Sequence, residues 1–488
     1  MVQWPLLVKH QTPDMTDRRP ELTPLLRSAS KQDQHASLPL QAHEAGRRFG
    51  IRDGLFQAVT QSSGEHYLSA FALLFHATPF HLSVLSAIPQ LVGTCSQLLS
   101  VKISQWFPDR TSQIWWGMIG QSISWAPILL LPFLWPDIGP WLLIAGAAAY
   151  FACTHFAVPA WNSLITDLLD ANERGMYFAR RARVMAFTSF LVLCLGGVFL
   201  SLFEQQQRLF EGFAVLFLVA GLCRSLSARS LTRLSDLPAY QPGENPSGFR
   251  TFLRKGSSRD FQNFLVFSSL MHAAVLIAGP FFVLYMIHDL HLPYWLYGAW
   301  MAAGIIGQFA TLTAWGQFGD RFGNKALLTM TGYLVPVLPM LYLLSTAWPF
   351  LVIVNFFGGV IWAGLSLGLQ NYVFDAVHPT DRAKAVAVVS VVNALGWAAG
   401  TFLGSWLIGV LPEHTLEVHG IGFHPVSNLP VIFFLSGVLR LLVAGCLLRT
   451  FSEPRSVEQR THQHLVWELP LLKPLCRFAL RWQTGESP

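Results

Sequence analysis

Charge is scarce in this chain. Of its 488 residues only 12% are Asp, Glu, Lys or Arg, where an ordinary globular protein has about 25%. A surface of this size cannot be kept in water with so little charge, so a disordered chain, a coiled coil and a secreted disulfide scaffold are all excluded. The six cysteines (Cys95, Cys153, Cys194, Cys223, Cys446 and Cys476) include no CxxC pair. They support neither a disulfide framework nor a zinc site, and no metal or other cofactor is expected. No phosphate loop is present, which leaves ATP drive within this chain without support. No cleavable signal peptide is visible either: residues 1–46 are polar, with Pro, Ser, Gln and both charge signs, and read as a disordered cytosolic tail. What the chain does have is 52% hydrophobic residues. Its net charge of +6 would point to nucleic acid in a soluble protein. Here the placement of the charges matters more than their sum, and no nucleic-acid partner is expected.

A bilayer core takes about 20 apolar residues per helix. Runs of that kind fall at 54–76, 80–101, 113–135, 139–161, 183–203, 208–228, 261–287, 294–315, 326–346, 349–372, 384–411 and 429–449. In lipid each such segment must satisfy its own backbone, which makes it a helix. A β-barrel would show alternating segments of about ten residues instead. With residue 1 inside, nearly all of the 33 Lys and Arg fall in the tails and the even-numbered loops, and the outer loops hold only Arg208. Slipping one helix would scramble this separation, so it supports twelve spans with both termini in the cytosol.

The expected organisation is a cytosolic N-terminal tail (1–50), a six-helix bundle (51–228), a Pro- and Gly-containing linker (229–260), a second six-helix bundle (261–450) and a cytosolic tail (451–488). In that tail, residues 464–482 carry Trp467, Phe478 and Trp482 among Lys473, Arg477 and Arg481. They read equally as an interfacial segment and as disordered chain.

The halves repeat. Phe107-Pro108-Asp109-Arg110 aligns with Phe318-Gly319-Asp320-Arg321. Asp167, followed by Glu173-Arg174, aligns with Asp375, followed by Asp381-Arg382. Ser62-Ser63 and His66 align with Ser268-Ser269 and His272. Three matches in one order at nearly one offset point to duplicated bundles. This is a transporter architecture, with the solute between the halves near the midplane.

The loop Gly316-Gln317-Phe318-Gly319-Asp320-Arg321-Phe322-Gly323-Asn324-Lys325 resembles the signature loop of the major facilitator superfamily, G-x-L-A-D-R-x-G-R-K. Gly316, Asp320, Arg321, Gly323 and Lys325 match; Phe318 and Gly319 depart. The first-half copy keeps Asp109 and Arg110 but has Gln105 and Ser112 in place of glycines. Pro159-Ala160-Trp161-Asn162-Ser163 through Arg174-Gly175 and Arg180-Arg181 also looks like a pattern in some bacterial members. The resemblance covers residues 51–450. It implies an all-α polytopic membrane protein of twelve helices in two pseudo-symmetric bundles. It also implies a gate on the inner face made by Asp109/Arg110 and Asp320/Arg321, with Asp167/Arg174 and Asp375/Arg382 as partners. The bland reading of the same charges is that they only mark the inside.

A charge at a helix centre costs about 2.5–3.5 kcal/mol on insertion scales, so Glu65, in the first run, is informative. Gln57, Gln61, Glu65 and Ser69 recur at i, i+4 on one face, and this stripe is expected to face the central cavity. There Glu65 would carry a coupling proton, with His66 and His272 binding solute or relaying the proton. Packing roles are the alternative for each. Arg440 lies nine residues before Arg449 in the last run and is expected to snorkel to the inner face. Further cavity candidates are Gln90, Gln97, Gln121, Trp125, Trp300, Gln308, Asn355, Trp362, Gln370, Asn371, Asn393 and Trp397. Aromatics with scattered amides suit an amphipathic organic solute rather than an inorganic ion. Trp295 and Trp348 read as interface anchors.

Gly364-Leu365-Ser366-Leu367-Gly368 is a literal G-x-S-x-G, but it lies inside an apolar helix rather than after a strand, so it reads as packing. Gly396, Gly400 and Gly404 form a ridge for close helix contact or sliding. The fifth run has Gly196-Gly197 and no proline, so the glycine–proline signature of many drug–proton antiporters is absent. His288, His291, His414, His419 and His424 show no compelling ligand spacing. The expected function is secondary active transport of a small organic solute by a monomer in an inner membrane, proton-coupled, with export preferred over uptake. A transporter-like receptor or scaffold remains the alternative from another class. No catalytic constellation supports an enzyme.

Overall fold

The computed structural model describes residues 40–169, 174–232, 258–378, 381–411, 427–455 and 457. The described residues form helical passages in the expected order. Six precede residue 233: α1 (Leu40–Ser63, continuing through Glu65–Tyr67 and Leu68–Leu73), α2 (Pro79–Ile103), α3 (Arg110–Leu134), α4 (Gly139–Asp167), α5 (Arg174–Gln205) and α6 (Leu209–Leu231). Six follow residue 257: α7 (Arg259–Leu276, continuing in short turns to Asp289), α8 (Tyr294–Phe322), α9 (Asn324–Leu334 and Val337–Leu341), α10 (Trp348–Ala376), α11 (Arg382–Val410) and α12 (Leu429–Leu447). Among the described residues, nine helices are long and apolar enough to cross a membrane. The others are α1, α8 and α9. α1 is charged at its start and broken at Gly64. α8 is diluted by glycine, tyrosine, tryptophan and glutamine. α9 is cut at Pro336, which has no N–H to continue the ladder.

Local chemistry sets several of these ends. Thr78 caps α2 in a reciprocal box with His81, and Pro79 occupies the first turn. Asp109 caps α3 by accepting from Ser112 N at 2.5 Å, and Ser258 caps α7 by accepting from Phe261 N at 3.2 Å. Gly323 joins α8 to α9 at φ 91°, a backbone that other residues rarely adopt. α1 differs from expectation. It begins at Leu40 rather than at residue 54, because the polar stretch before the apolar run continues as helix.

Within the first half α1 packs on α5 and α6, and α4 on α2 and α3. Between halves α5 packs on α8, and α2 on α11. The α5–α8 crossing is glycine to glycine: a Cβ on Gly197 would lie 3.2 Å from the Cα of Gly298. The ridge on α11 also meets backbone. Cβ atoms on Gly396, Gly400 and Gly404 would lie 2.4, 2.1 and 2.2 Å from the carbonyls of Ser269, Ala273 and Ile277 on α7.

The expected tail segment 464–482, His414, His419 and His424, and most of the linker lie outside the described residues.

Candidate functional site

The two halves share one core at one end and have separate cores at the other. The shared cluster joins Tyr67, Phe71, Trp125, Tyr150 and Phe213 of the first half to Phe281, Tyr285, Tyr294, Tyr297 and Phe433 of the second. Tyr67 meets Tyr297 edge-on at 6.2 Å, and Phe213 meets Tyr294 at 5.7 Å. Ser83 Oγ donates to Thr401 O at 2.8 Å, and Trp397 Nε1 to Ser86 Oγ at 3.0 Å. Trp295 N donates to Ser201 Oγ at 2.8 Å. At the opposite end, where the signature loop lies, the clusters stay within one half. Phe49, Ile114, Leu164 and Leu231 belong to one. Phe264, Leu328, Tyr372 and Phe451 belong to another, and Trp315, Phe318 and Phe322 to a third. The hydrophobic core is therefore shared at the end away from the signature loop and divided between the halves at the basic end.

Within the second half α7, α10 and α11 line a cavity of about 390 Å³, the size of a small-molecule pocket. His272, Trp362, Ser366, Gln370, Ser390 and Asn393 supply its polar and aromatic lining; Leu369, Val373, Phe374, Val386 and Val389 supply the apolar remainder. Among the described residues, no lining side chain carries a fixed charge. His272 Nδ1 lies 2.8 Å from Ser268 O. A carbonyl only accepts, so Nδ1 carries the hydrogen and Nε2 of the neutral ring is the acceptor. Ser268 Oγ donates to Asn393 Oδ1 at 2.8 Å, which leaves the Asn393 N–H donors outside that bond. Together these groups offer an acceptor, two donors and the Trp362 face to one solute.

The matching region of the first half is built around a break in α1. Trp125 fills the place of a side chain at Gly64, where a Cβ would lie 2.3 Å from the ring. The chain tightens after it into Glu65–Tyr67. Glu65 accepts from Tyr150 OH of α4 at 3.4 Å, and Gln61 also reaches it. His66 Nδ1 donates to Gln61 O at 2.8 Å, the same use of the ring as at His272. The regular stripe through Ser69 is thus interrupted at Gly64. Gln57 Oε1, Ser62 Oγ, both amide atoms of Gln121 and Trp125 Nε1 are buried without a protein partner. Buried polar atoms of this kind are ordinarily satisfied by water or ligand.

Other candidates fall elsewhere. Trp300 stacks on Tyr297 at 5.9 Å and donates to Tyr342 OH at 2.9 Å in the shared core. Asn355 Nδ2 donates to Trp300 O at 2.6 Å, tying α10 to α8, and Gln308 lies at the same α8–α10 contact. Trp397 joins the two halves through Ser86. Gln97 Oε1 lies 3.3 Å from His155 Nδ1. Gln90 accepts at its backbone from Thr94. Asn371 is half-buried on α10.

The signature loop is held inside its own half. Asn324 Nδ2 donates to Asp375 at 2.6 Å, and Asp375 pairs with Arg455 at 3.1 Å. Arg455 also donates to Gly319 O at 3.0 Å. Glu453 accepts from Lys325 N at 2.7 Å. The Lys325 ammonium donates to Leu448 O at the end of α12 and lies 3.4 Å from the centre of the Phe451 ring. A Cβ on Gly323 would lie 2.3 Å from Glu453 Oε2, so a larger residue there would be strained at φ 91° and would displace the Glu453 carboxylate. Arg382 Nε donates to Phe374 O at 3.2 Å, and the basic side chain at Asp375 is Arg455. Asp320 and Arg321 are exposed; Arg321 lies over the Phe322 ring at 4.9 Å, and Gly316 sits one turn earlier on α8. In the first half Arg110 pairs with Asp167 at 2.5 Å and with Ser163 Oγ at 2.8 Å. Asp109 serves as the α3 cap, and the side chain of Arg174 lies outside the described residues.

Two features depart from the sequence reading. Arg440 does not snorkel: it is 5% exposed. Its Nε donates to Ser436 Oγ at 3.1 Å, Nη1 to Val335 O at 3.2 Å and Nη2 to Val275 O at 3.3 Å. Pro339 has no N–H for the Val335 carbonyl, and Ser436 Oγ caps Ala274 O at 2.6 Å where α7 breaks. The guanidinium therefore serves the backbone at the breaks in α7 and α9. The second feature is Asp53, 2% exposed. It pairs with Arg224 at 2.9 Å and Arg181 at 3.2 Å, and accepts from Ser227 Oγ at 2.8 Å. Arg181 also lies over Trp161 at 4.3 Å. Asp53 precedes the apolar run 54–76, which hid it. The signal available was its i, i+4 spacing to Gln57.

Residues 263–482 match a family model described as Major Facilitator Superfamily. Among curated relatives, the 4-hydroxybenzoate transporter PcaK of Acinetobacter baylyi is 32% identical over 150 residues, 30% of this chain and 32% of that protein. Multidrug resistance protein 1 of Bacillus subtilis is 26% identical over 169 residues, 35% of this chain and 39% of that protein. The chain thus spans about a third of the length of these relatives. Solved structures agree over far more of the chain. The nucleoside transporter NupG superposes with a TM-score of 0.61 at 12% identity, over 84% of this chain and 99% of that one. A D-xylose–proton symporter gives 0.64 at 13% identity, over 85% and 99%. The two six-helix halves and the signature loop agree with that family model, so over residues 263–482 the chain is similar to the major facilitator superfamily.

Proposed function

We propose that this protein is a secondary active transporter that moves a small amphipathic organic solute by alternating access. The observation that carries the reading is the single core shared at the outer end against separate cores at the basic end, with a solute-sized cavity within the second half. The structure then represents the state open to the cytosol. The cavity lining favours a neutral or weakly polar solute with both donor and acceptor groups and an apolar or aromatic body. One relative is named a 4-hydroxybenzoate transporter; that solute shares the aromatic body and hydroxyl group, while its carboxylate has no cationic partner in this lining.

Glu65 is the proposed proton carrier. It is held by Tyr150 at the break in α1, and the partnerless polar atoms of Gln57, Ser62 and Gln121 are the proposed path of the proton towards the basic end. The exposed Asp320 and Arg321 are the proposed gate elements. Export is preferred over uptake. The test compares small molecules inside and outside cells expressing wild type or Glu65→Gln, both verified in the membrane. A compound concentrated across the membrane by wild type, and only equilibrated by the variant, supports the reading. No redistribution by wild type, across hosts supplied with varied organic solutes, removes it.

A further inference from the structure

A second cavity, of about 490 Å³, lies between α1 and α6 at the basic end of the first half, lined by Arg52, Leu55, Phe56, Leu226, Arg229 and Ser230. Arg52 and Arg229 are both exposed, and among the described residues neither is paired with a carboxylate. The adjacent Asp53 cannot neutralise them, because it is buried and committed to Arg181 and Arg224. Ser230 donates its hydroxyl to Ser227 O at 2.7 Å, so the guanidiniums are the donors facing the cavity. From this basic mouth an apolar track runs towards the midplane along α6. Leu226, Leu222 and Leu218, spaced i, i+4, are 51%, 63% and 59% exposed, and Leu55 of α1, 39% exposed, flanks them. The three leucines cover roughly 12 Å at 1.5 Å per residue.

We propose that this groove binds an anionic phospholipid of the leaflet at the basic end, with its phosphate on Arg52 and Arg229 and an acyl chain along Leu226, Leu222 and Leu218. Charge complementarity requires an anionic end, and the exposed leucines require an apolar body continuous with it. A basic pocket between helices beside a lipid-facing stripe meets both requirements. The solute cavity between α7, α10 and α11 is separate, so this site stands whether or not the transport reading does.

The test uses the full chain in neutral detergent, titrated with phosphatidylglycerol or phosphatidylcholine and read by native mass spectrometry. Phosphatidylglycerol is expected to bind preferentially. Arg52→Gln with Arg229→Gln is expected to weaken it about thirtyfold, from about one charge interaction per arginine. Arg52→Lys with Arg229→Lys retains it, as does the control pair Arg180→Gln with Arg183→Gln, which removes the same charge from exposed positions on α5. Both sites are exposed, and the melting temperature of the lipid-free variants verifies folding. Equal binding of phosphatidylcholine overturns the proposal, as does an equal loss in the control pair. Displacement of phosphatidylglycerol by millimolar inorganic phosphate also overturns it, since it would mark a site for a free anion.

Discussion

Trp397 of α11 donates its indole N–H to Ser86 of α2 at 3.0 Å, one helix from each half. One turn further out, Ser83 donates to the backbone of Thr401 at 2.8 Å. These bonds join the two halves, so in the proposed transport cycle the end they hold opens only if they break. A cross-link between Ser83→Cys and Thr401→Cys, in a background free of the native cysteines, is therefore expected to stop solute movement. A reductant should restore it, as measured in cells or vesicles.

Glu65 meets Tyr150 and Gln61 at the break in α1. Glu65→Gln keeps the shape and removes the titrating group. Solute movement by the variant is expected to lose its dependence on pH, while the amount of folded protein stays the same. A pH–rate profile of the variant that follows wild type would remove the coupling role.

Asp53 faces two arginines inside the first half. Asp53→Asn leaves both cations without their counter-charge, and breaking a buried pair costs about 3–5 kcal/mol. A clear fall in the melting temperature of the purified protein is the expected result. Arg48→Gln, at an exposed pair with Glu44, should shift it by much less, since exposed pairs contribute about 0–1 kcal/mol.

Arg440 supplies donors to Val335 and Val275, at breaks made by proline and by the turn at Gly279. Arg440→Met fills similar volume but leaves those acceptors buried, at about 1–3 kcal/mol each. Thermal unfolding should show the loss, and Arg440→Lys, with fewer directed donors, should recover only part of it.

The helices, their order and the duplication could be read from the sequence, because lipid forces long apolar runs and the basic residues collect at one face. Places where a local rule is broken were less legible. Asp53 looks like a loop charge until α1 is seen to begin at Leu40. Arg440 looks like a snorkelling residue until the carbonyls freed near Pro339 are seen to need donors. Arg455 pairs with Asp375 because the chain after α12 folds back onto the signature loop, a contact with no local pattern. In the solute cavity, His272, Trp362, Gln370 and Asn393 stood out as polar or aromatic groups in apolar runs. Trp300 and Asn355 stood out equally, yet they pack α8 against its neighbours. Composition cannot separate the two cases, since both give a polar group a partner.

The most direct measurement is the sidedness of labelling at the solute cavity. Asn393→Cys, in the same background with the Ser83→Cys and Thr401→Cys pair, is treated with a membrane-impermeant maleimide from each face. With the outer pair cross-linked, reaction is expected from the basic face alone; after reduction, reaction is expected from both faces. Reaction from one face only, unchanged by reduction, would contradict alternating access and leave a transporter-like protein that does not transport.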